Sequence, residues 1–168
     1  MLDVARLFAD HHAALYRYLV RLTGEPDAAA DAAQEAFVRM IERPPQSGDG
    51  AGAKSWLYAV ATNAALESAR TRRRRERLLA AAPDRAPVGD PLPSGDAYAE
   101  ANDRRSRVAE ALAAIPERDR TALLMREEGF THREIAAALG TTTGSVGTVI
   151  ARALDRLAAA LPLDPHAL

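Results

Sequence analysis

Cysteine is absent from the 168-residue sequence, which has a single tryptophan and few other aromatic residues. Without cysteine the chain cannot form disulfides, thiolate nucleophiles, thiolate zinc sites or iron–sulfur clusters. The four histidines show no metal-ligand spacing, so we expect neither a metal nor a cofactor. Charges interrupt every window of about 18 residues, and the N-terminus lacks the basic start and apolar run of a secretory signal. We therefore expect no membrane insertion and a cytoplasmic location.

Helix-forming residues dominate the composition, chiefly alanine, leucine, arginine and glutamate. Apolar side chains recur at helical spacing, and neither an alternating strand pattern nor an internal repeat is found. The first two apolar stripes include Phe8 and Ile41. The sequence predicts an all-α fold, with helices over residues 2–22, 26–42, 54–79, 102–114, 116–129, 132–139 and 143–161.

A break near the middle divides these helices into two groups. Residues 80–101 are mildly acidic and contain the helix-hostile residues Pro83, Pro87, Gly89, Pro91 and Pro93. This composition is typical of an extended linker. It predicts one domain over residues 1–79, a second over residues 102–161, and a tail over residues 162–168. A shorter loop is predicted over residues 43–53.

The net charge of −1 conceals a concentrated basic segment. Residues 54–79 hold seven basic and two acidic groups, and most of the basic groups are arginines near the end of the third helix. Guanidinium groups bind phosphate bidentately, so the segment indicates a local contact with a polyanion. The alternative is a solvated helix end. The arginines are Arg70, Arg72, Arg73, Arg74, Arg75 and Arg77.

Residues 131–157 have the pattern of a helix-turn-helix. Ala136 supplies the small residue at the helix crossing, Gly140 the turn, and Val146 an inward apolar residue of the second helix. Such a helix enters the major groove by its N-terminal residues. A helical hairpin with no DNA role is the alternative. The groove-facing candidates are Thr142, Thr143, Ser145 and Thr148.

Other polar residues allow two interpretations each. Asp27, Asp31, Gln34 and Glu35 form an acidic helix face that either meets a basic partner or is solvated. Trp56 lies either in the core or on a base-stacking surface. Asn63 needs a partner if it is buried, because an unpaired buried amide is costly. No catalytic grouping and no Gly-rich phosphate loop is found, so we do not expect an enzyme.

Three motifs in this order resemble those of an extracytoplasmic-function (ECF, group IV) sigma factor of bacterial RNA polymerase. Residues 27–40, 55–77 and 111–157 resemble regions 2.2, 2.3–2.4 and 4 of that family, respectively. The resemblance implies a sigma-2 domain and a sigma-4 helix-turn-helix domain on a flexible linker. It also implies binding to core polymerase and to promoter DNA, followed by promoter-specific transcription initiation, without covalent chemistry.

The resemblance also implies site residues. Asp31, Gln34, Glu35 and Phe37 would dock on the β′ coiled coil, and sigma-4 would hold the β flap. The loop 43–54 and the helix from Ser55 would read and melt the −10 element. An anti-sigma factor is a further possible partner. The implied −10 residues are Lys54, Ser55, Trp56, Asn63, Arg70, Arg72, Arg73, Arg74 and Arg75. The implied −35 residues are Arg133, Thr142, Thr143, Ser145, Thr148 and Arg152.

The recognition helix departs from the family pattern. Gly147, Thr148 and Val149 stand where the family usually carries a basic group and a Ser-Arg pair, which leaves Arg152 and Arg156 as the basic residues of that helix. Two alternatives to the sigma factor therefore stay open. One is a sigma-like regulator with weakened −35 binding, and the other is a stand-alone helix-turn-helix repressor.

Overall fold

The computed structural model describes residues 3–45, 50–80 and 99–161 of the chain. These ranges contain seven α-helices and no strand, which confirms the all-α prediction. The tail 162–168 and most of the predicted linker lie outside the described residues. The helices are α1 (Val4–Thr23), α2 (Pro26–Glu42), α3 (Gly50–Ala80), α4 (Ala99–Ala114), α5 (Glu117–Glu127), α6 (His132–Leu139) and α7 (Thr143–Ala160).

Two helix starts differ from the prediction. Helix α3 begins at Gly50, so the end of the predicted loop 43–53 is helical, and the −10 helix does not start at Ser55. Glycine is a poor helix former, but Ala53 is fully buried in the core, and this packing extends the helix. Helix α4 begins at Ala99, and α3 includes Ala80, so both ends of the predicted linker are also helical.

Helices α1, α2 and α3 pack on one another as the first bundle. The Asp3 carboxylate caps α1 by accepting a hydrogen bond from the Arg6 backbone N–H at 3.0 Å. Gly24 ends α1 with a left-handed φ of 75°, and Pro26 opens α2, where its fixed φ suits the first turn. The chain therefore reverses within two residues, so α1 and α2 pack as neighbours.

Leucine and alanine side chains fill the first bundle. Leu15, Leu19 and Leu22 of α1 are fully buried, and each stabilises the fold by about 1.5–3 kcal/mol relative to an exposed side chain. Alanines at the contacts of α2 and α3 let the helix axes approach closely. Phe8 and Ile41 belong to the apolar stripes of α1 and α2 but do not face this core. Their side chains are 47% and 68% exposed, respectively.

Helices α4 to α7 form the second bundle, in which α5, α6 and α7 pack on one another and α4 packs on α7. Thr131 and Glu134 form a capping box at the start of α6, and Gly140 turns the chain with a φ of 59°. Ile135, Val146 and other small apolar residues are buried between α6 and α7. The helix-turn-helix geometry predicted from the sequence is present.

The two bundles contact each other directly. Helix α1 packs against α4 and α5, and α3 packs against α6. The Phe130 ring of the second bundle lies 4.9 Å from the Tyr58 ring of the first, and the buried apolar residues form one continuous cluster. The DNA-facing surfaces implied for the two domains therefore lie on elements that touch.

Candidate nucleic-acid and polymerase interfaces

The start of α7 presents small hydroxyl side chains to solvent. Thr142, Thr143 and Thr148 are exposed, and Ser145 is half-buried. The hydroxyls of Thr142 and Ser145 lie 2.7 Å apart, so they hydrogen-bond to each other. Arg133 is exposed near the start of α6. These five residues, implied for the −35 element, thus lie on α6 and α7 around the turn that a helix-turn-helix points into the major groove.

Arg152 of α7 is exposed at the surface of the second bundle and pairs with the buried Asp119 of α5. Its Nε and terminal nitrogen donate to the two Asp119 carboxylate oxygens at 2.8 and 2.7 Å, and Arg156 donates to the same group. Asp119 is 2% exposed, so two arginines balance a buried charge. The hydrogen bonds from Arg152 lower the pKa of the Asp119 carboxyl, although burial opposes them. The basic groups of α7 therefore stabilise the domain.

The arginines of α3 fall into two sets. Arg70 and Arg73 donate to the two carboxylate oxygens of Glu117 at 2.8 and 2.7 Å, and Arg72 pairs with Glu25. A second set is exposed and makes no hydrogen bond or ion pair with the described residues. These arginines form the free arginine set, which lies on α3 beyond the contact with the second bundle. It consists of Arg74, Arg75 and Arg77.

Near the start of α3, the residues implied for the −10 element contact the second bundle. The Lys54 ammonium donates to the Glu128 carbonyl at 3.3 Å and lies 5.0 Å from the centre of the Phe130 ring. Ser55 donates a hydrogen bond to Glu134, one of the interactions that lower the pKa of that carboxyl. The strongest of them is the hydrogen bond from the Thr131 backbone. The start of α3 is therefore covered by residues of the second bundle.

Trp56 and Asn63 complete the implied −10 set. Trp56 is half-buried and packs against the core, which supports the core interpretation. The side chain of Asn63 is exposed, so this residue does not need a partner within the protein. The buried polar group of this helix is the neighbouring Thr62, whose hydroxyl lies 2.8 Å from that of Tyr18. Asn63 is thus available for an external partner.

The acidic face of α2 borders an apolar groove. Asp31, Gln34 and Glu35 are exposed, whereas Phe37 is buried, with its ring 4.9 Å from that of Phe8. Between α1 and α2 the groove has a volume of about 880 Å³. Its apolar rim was missed in the sequence, because a partner-facing stripe and a core-facing stripe have the same helical spacing. The rim residues are Phe8, Val38 and Ile41.

The part of the chain that the structure describes contains no cluster of potential metal ligands. It also contains no helix that is long and apolar enough to cross a bilayer.

The sequence matches two protein-family descriptions that together cover most of the chain. Residues 7–75 match sigma-70 region 2, and residues 105–157 match sigma-70 region 4. The ECF RNA polymerase sigma factor SigL of Mycobacterium tuberculosis is 34% identical over 143 residues, which cover 83% of this chain and 78% of SigL. SigM of the same organism is 33% identical over 155 residues, covering 91% of this chain and 74% of SigM.

A solved structure has the same fold. The sigma factor RpoE of Bartonella quintana, in a co-crystal structure with the anti-sigma factor NepR, superposes with a TM-score of 0.74 at 20% identity. The match covers 96% of this chain and 98% of RpoE. Three findings indicate the same family. They are the two sigma-70 regions in the expected order, the relatives of one class and the shared helical architecture. The chain therefore belongs to the ECF family of RNA polymerase sigma factors, which are not enzymes but direct the polymerase to promoters.

Proposed function

We propose that this chain binds core RNA polymerase in the cytoplasm and places α3 on the −10 element and α7 on the −35 element. In this assignment residues 1–79 are the sigma-2 domain, residues 102–161 are the sigma-4 domain, and the linker lies between them. The observation that carries the proposal is the free arginine set at the end of α3. Three uncompensated guanidinium groups on one helix are a natural contact for a phosphate backbone.

The polymerase contact is assigned to α2 and the groove beside it. Exposed apolar patches mark protein interfaces, and here the patch is flanked by Asp31, Gln34 and Glu35. An apolar centre with a charged rim fits a basic helical partner such as the β′ coiled coil. Phe37 supports this surface from beneath, through its contact with Phe8. The sigma-4 domain is assigned to the β flap on the family resemblance.

Reconstituted transcription tests the DNA assignment. R74A/R75A is compared with R104A/R105A, a matched pair of neighbouring exposed arginines on α4. Both variants lose the same charge, so a difference between them reports position. We expect R74A/R75A to retain core polymerase in a pull-down but to lose most promoter-dependent transcripts, while R104A/R105A retains them. Equal activity of the two variants would reject the assignment of α3 to DNA.

A second candidate is favoured by the contacts of Arg152 and Arg156. Both arginines of the recognition helix are bound to Asp119, and the helix start offers only small hydroxyl groups and glycine. Such a helix makes few phosphate contacts, as expected of a sigma factor with weakened −35 recognition. Scrambling the −35 element of an active promoter separates the candidates. A sharp loss of transcripts supports −35 reading, and an unchanged yield supports the weakened form.

A further inference from the structure

A second groove lies between α1 and α4, in addition to the groove assigned to polymerase. It has a volume of about 920 Å³, within the range of about 300–1,000 Å³ that is usual for ligand sites. We propose that this groove binds a single-chain amphiphile with a carboxylate head, such as a fatty acid. The inference goes beyond the proposed function and needs neither the DNA nor the polymerase assignment.

Apolar side chains line the body of this groove. Tyr16 and Val20 come from α1, and Val108 and Leu112 come from α4. Val108 is 39% exposed, so the apolar surface is open to a ligand. The charged residues of the lining are all arginines. An apolar molecule that carries a negative charge therefore fits the groove better than a neutral or cationic one.

A smaller and more polar cavity adjoins the groove at α5. Its volume of about 60 Å³ is several times the space of about 10–15 Å³ that one water molecule needs, so a small charged head fits. Thr23 and Arg120 line both spaces, which therefore meet at these two side chains. Arg72, Arg73 and Glu117 complete the charged lining of the cavity. The apolar groove thus adjoins a cavity with three arginines and one glutamate.

The charges around the small cavity leave one guanidinium group unbalanced. Both carboxylate oxygens of Glu117 already accept hydrogen bonds from arginines of α3, at 2.8 and 2.7 Å. Arg72 pairs with Glu25. Arg120 therefore has no carboxylate of its own among the described residues. One further negative charge would balance the cavity, which matches the single charge of a carboxylate head.

Arg120 is also incompletely hydrogen-bonded. One terminal nitrogen donates to the Leu112 carbonyl at 3.2 Å, whereas the Nε is shielded from solvent and has no hydrogen-bond partner in the described part of the chain. Burial lowers the pKa of the Arg120 guanidinium, which the charge of Glu117 opposes and the charge of Arg73 reinforces. Arginine stays protonated even so, and an unpaired half-buried charge is unfavourable. A carboxylate beside it would supply the opposite charge and hydrogen-bond acceptors.

The two spaces together select both ends of the ligand. The head would lie beside Arg120, and the chain would lie along Val20, Val108 and Leu112. Each buried methylene group should strengthen binding by up to about fourfold. A ligand that binds only the folded chain also stabilises it, so the thermal unfolding midpoint should rise with the ligand concentration.

Isothermal titration calorimetry of the full chain with decanoate, below the concentration at which decanoate forms micelles, tests the proposal. Decyltrimethylammonium has the same chain length and the opposite charge, and octanoate has the same head on a shorter chain. R120M removes the guanidinium but keeps an apolar stem, and R118M is its matched control at an exposed arginine of the same helix. V108E places a charge in the groove, and L154E introduces the same side chain at an exposed leucine of α7.

We expect one decanoate to bind per chain, about tenfold more tightly than either decyltrimethylammonium or octanoate. R120M and V108E should each weaken decanoate binding by about tenfold, whereas R118M and L154E should stay within about twofold of the parent chain. Decanoate should raise the thermal unfolding midpoint of the parent chain but not that of R120M. The unfolding transition of R120M without ligand shows whether this variant folds, and if it does not, V108E against L154E decides the same point.

Three results would each overturn the proposal. They are the absence of decanoate binding, an equal affinity for decyltrimethylammonium, and equal losses of affinity within either matched pair of variants. Neither DNA nor polymerase is present in the titration, so its failure would leave the proposed function untouched.

Discussion

The hydroxyl oxygens of Tyr18 and Thr62 lie 2.8 Å apart in the centre of the first bundle, where both side chains are fully buried. Burial raises the pKa of the Tyr18 phenol, so the group stays neutral and protonated. We expect Y18F to lower the free energy of unfolding by about 1–2 kcal/mol, because it leaves the Thr62 hydroxyl without its partner. Urea unfolding monitored by circular dichroism measures the loss.

T62V and the double variant complete the cycle. If the hydrogen bond stabilises the bundle, the double variant loses less than the two single variants together, with a coupling of about 1 kcal/mol. Additive losses would show that packing alone accounts for both residues.

D119N should destabilise the second bundle by about 2 kcal/mol at neutral pH, because it removes the charge that Arg152 and Arg156 share. The folded pKa of Asp119 is lowered, so folding favours the charged form. This stabilisation is present above the ordinary pKa of about 4 and is lost as the pH falls through the lowered folded value. The stability difference between parent and D119N should therefore narrow on acidification below about pH 4.

D155N is the matched control for D119N, since Asp155 is exposed on α7. Its effect should stay within about 0.5 kcal/mol at every pH. The difference in the free energy of unfolding between the parent and D119N could instead stay constant from neutral to acidic pH. That result would contradict stabilisation by the charged form of Asp119.

G147A should raise the free energy of unfolding of the second bundle by about 0.5–1 kcal/mol. The position is exposed and helical, and an added Cβ would meet only the His132 ring, at a comfortable 3.9 Å. G140A is the control, because its φ of 59° is strained for alanine. We expect G140A to destabilise. The thermal unfolding midpoints of the two variants should therefore shift in opposite directions. A shift of both midpoints in the same direction would contradict the different roles assigned to Gly147 and Gly140.

I41S should weaken binding to core polymerase by about tenfold while leaving stability within about 0.5 kcal/mol of the parent. Ile41 is exposed at the rim of the groove between α1 and α2, so its replacement removes no packing from the core. L154S is the matched control at an exposed leucine of α7. Equal polymerase affinity of I41S and the parent would remove the groove from the interface. Q34A/E35A should impair polymerase binding in the same assay.

Removing Arg74 and Arg75 should flatten the salt dependence of promoter binding by the holoenzyme. Each lost phosphate contact lowers the slope of log affinity against log salt by roughly one unit. An unchanged slope would show that the block is a solvated helix end. Arg72 is a useful comparison, because it pairs with Glu25 of its own bundle, and R72A should therefore change the slope less.

Helix positions and the helix-turn-helix were accessible from the sequence because they depend on local periodicity, caps and turn glycines. Helix α2 and helix α6 have the predicted bounds. The start of α3 was missed because tertiary burial of Ala53 overrides the low propensity of its glycines. Periodicity also identified apolar stripes without showing that Phe8 and Ile41 face outward.

Long-range pairing could not be predicted in this way. The contacts of Glu117 with Arg70 and Arg73 span 47 and 44 residues, and Asp119 meets Arg152 across 33 residues. From the sequence pattern alone a charged helical residue is expected to be solvated, because its partner in a distant helix is not known. The basic segment was therefore recognisable as a group from the sequence, whereas the division of its arginines into bound and free ones required the tertiary structure.

Both guanidinium contacts between α3 and α5 converge on the single side chain of Glu117. One nucleotide change that replaces this glutamate removes both at once and touches no buried apolar group. The contact between α3 and α5 therefore depends more on this one glutamate than on either arginine, since the loss of one arginine leaves the other pair in place.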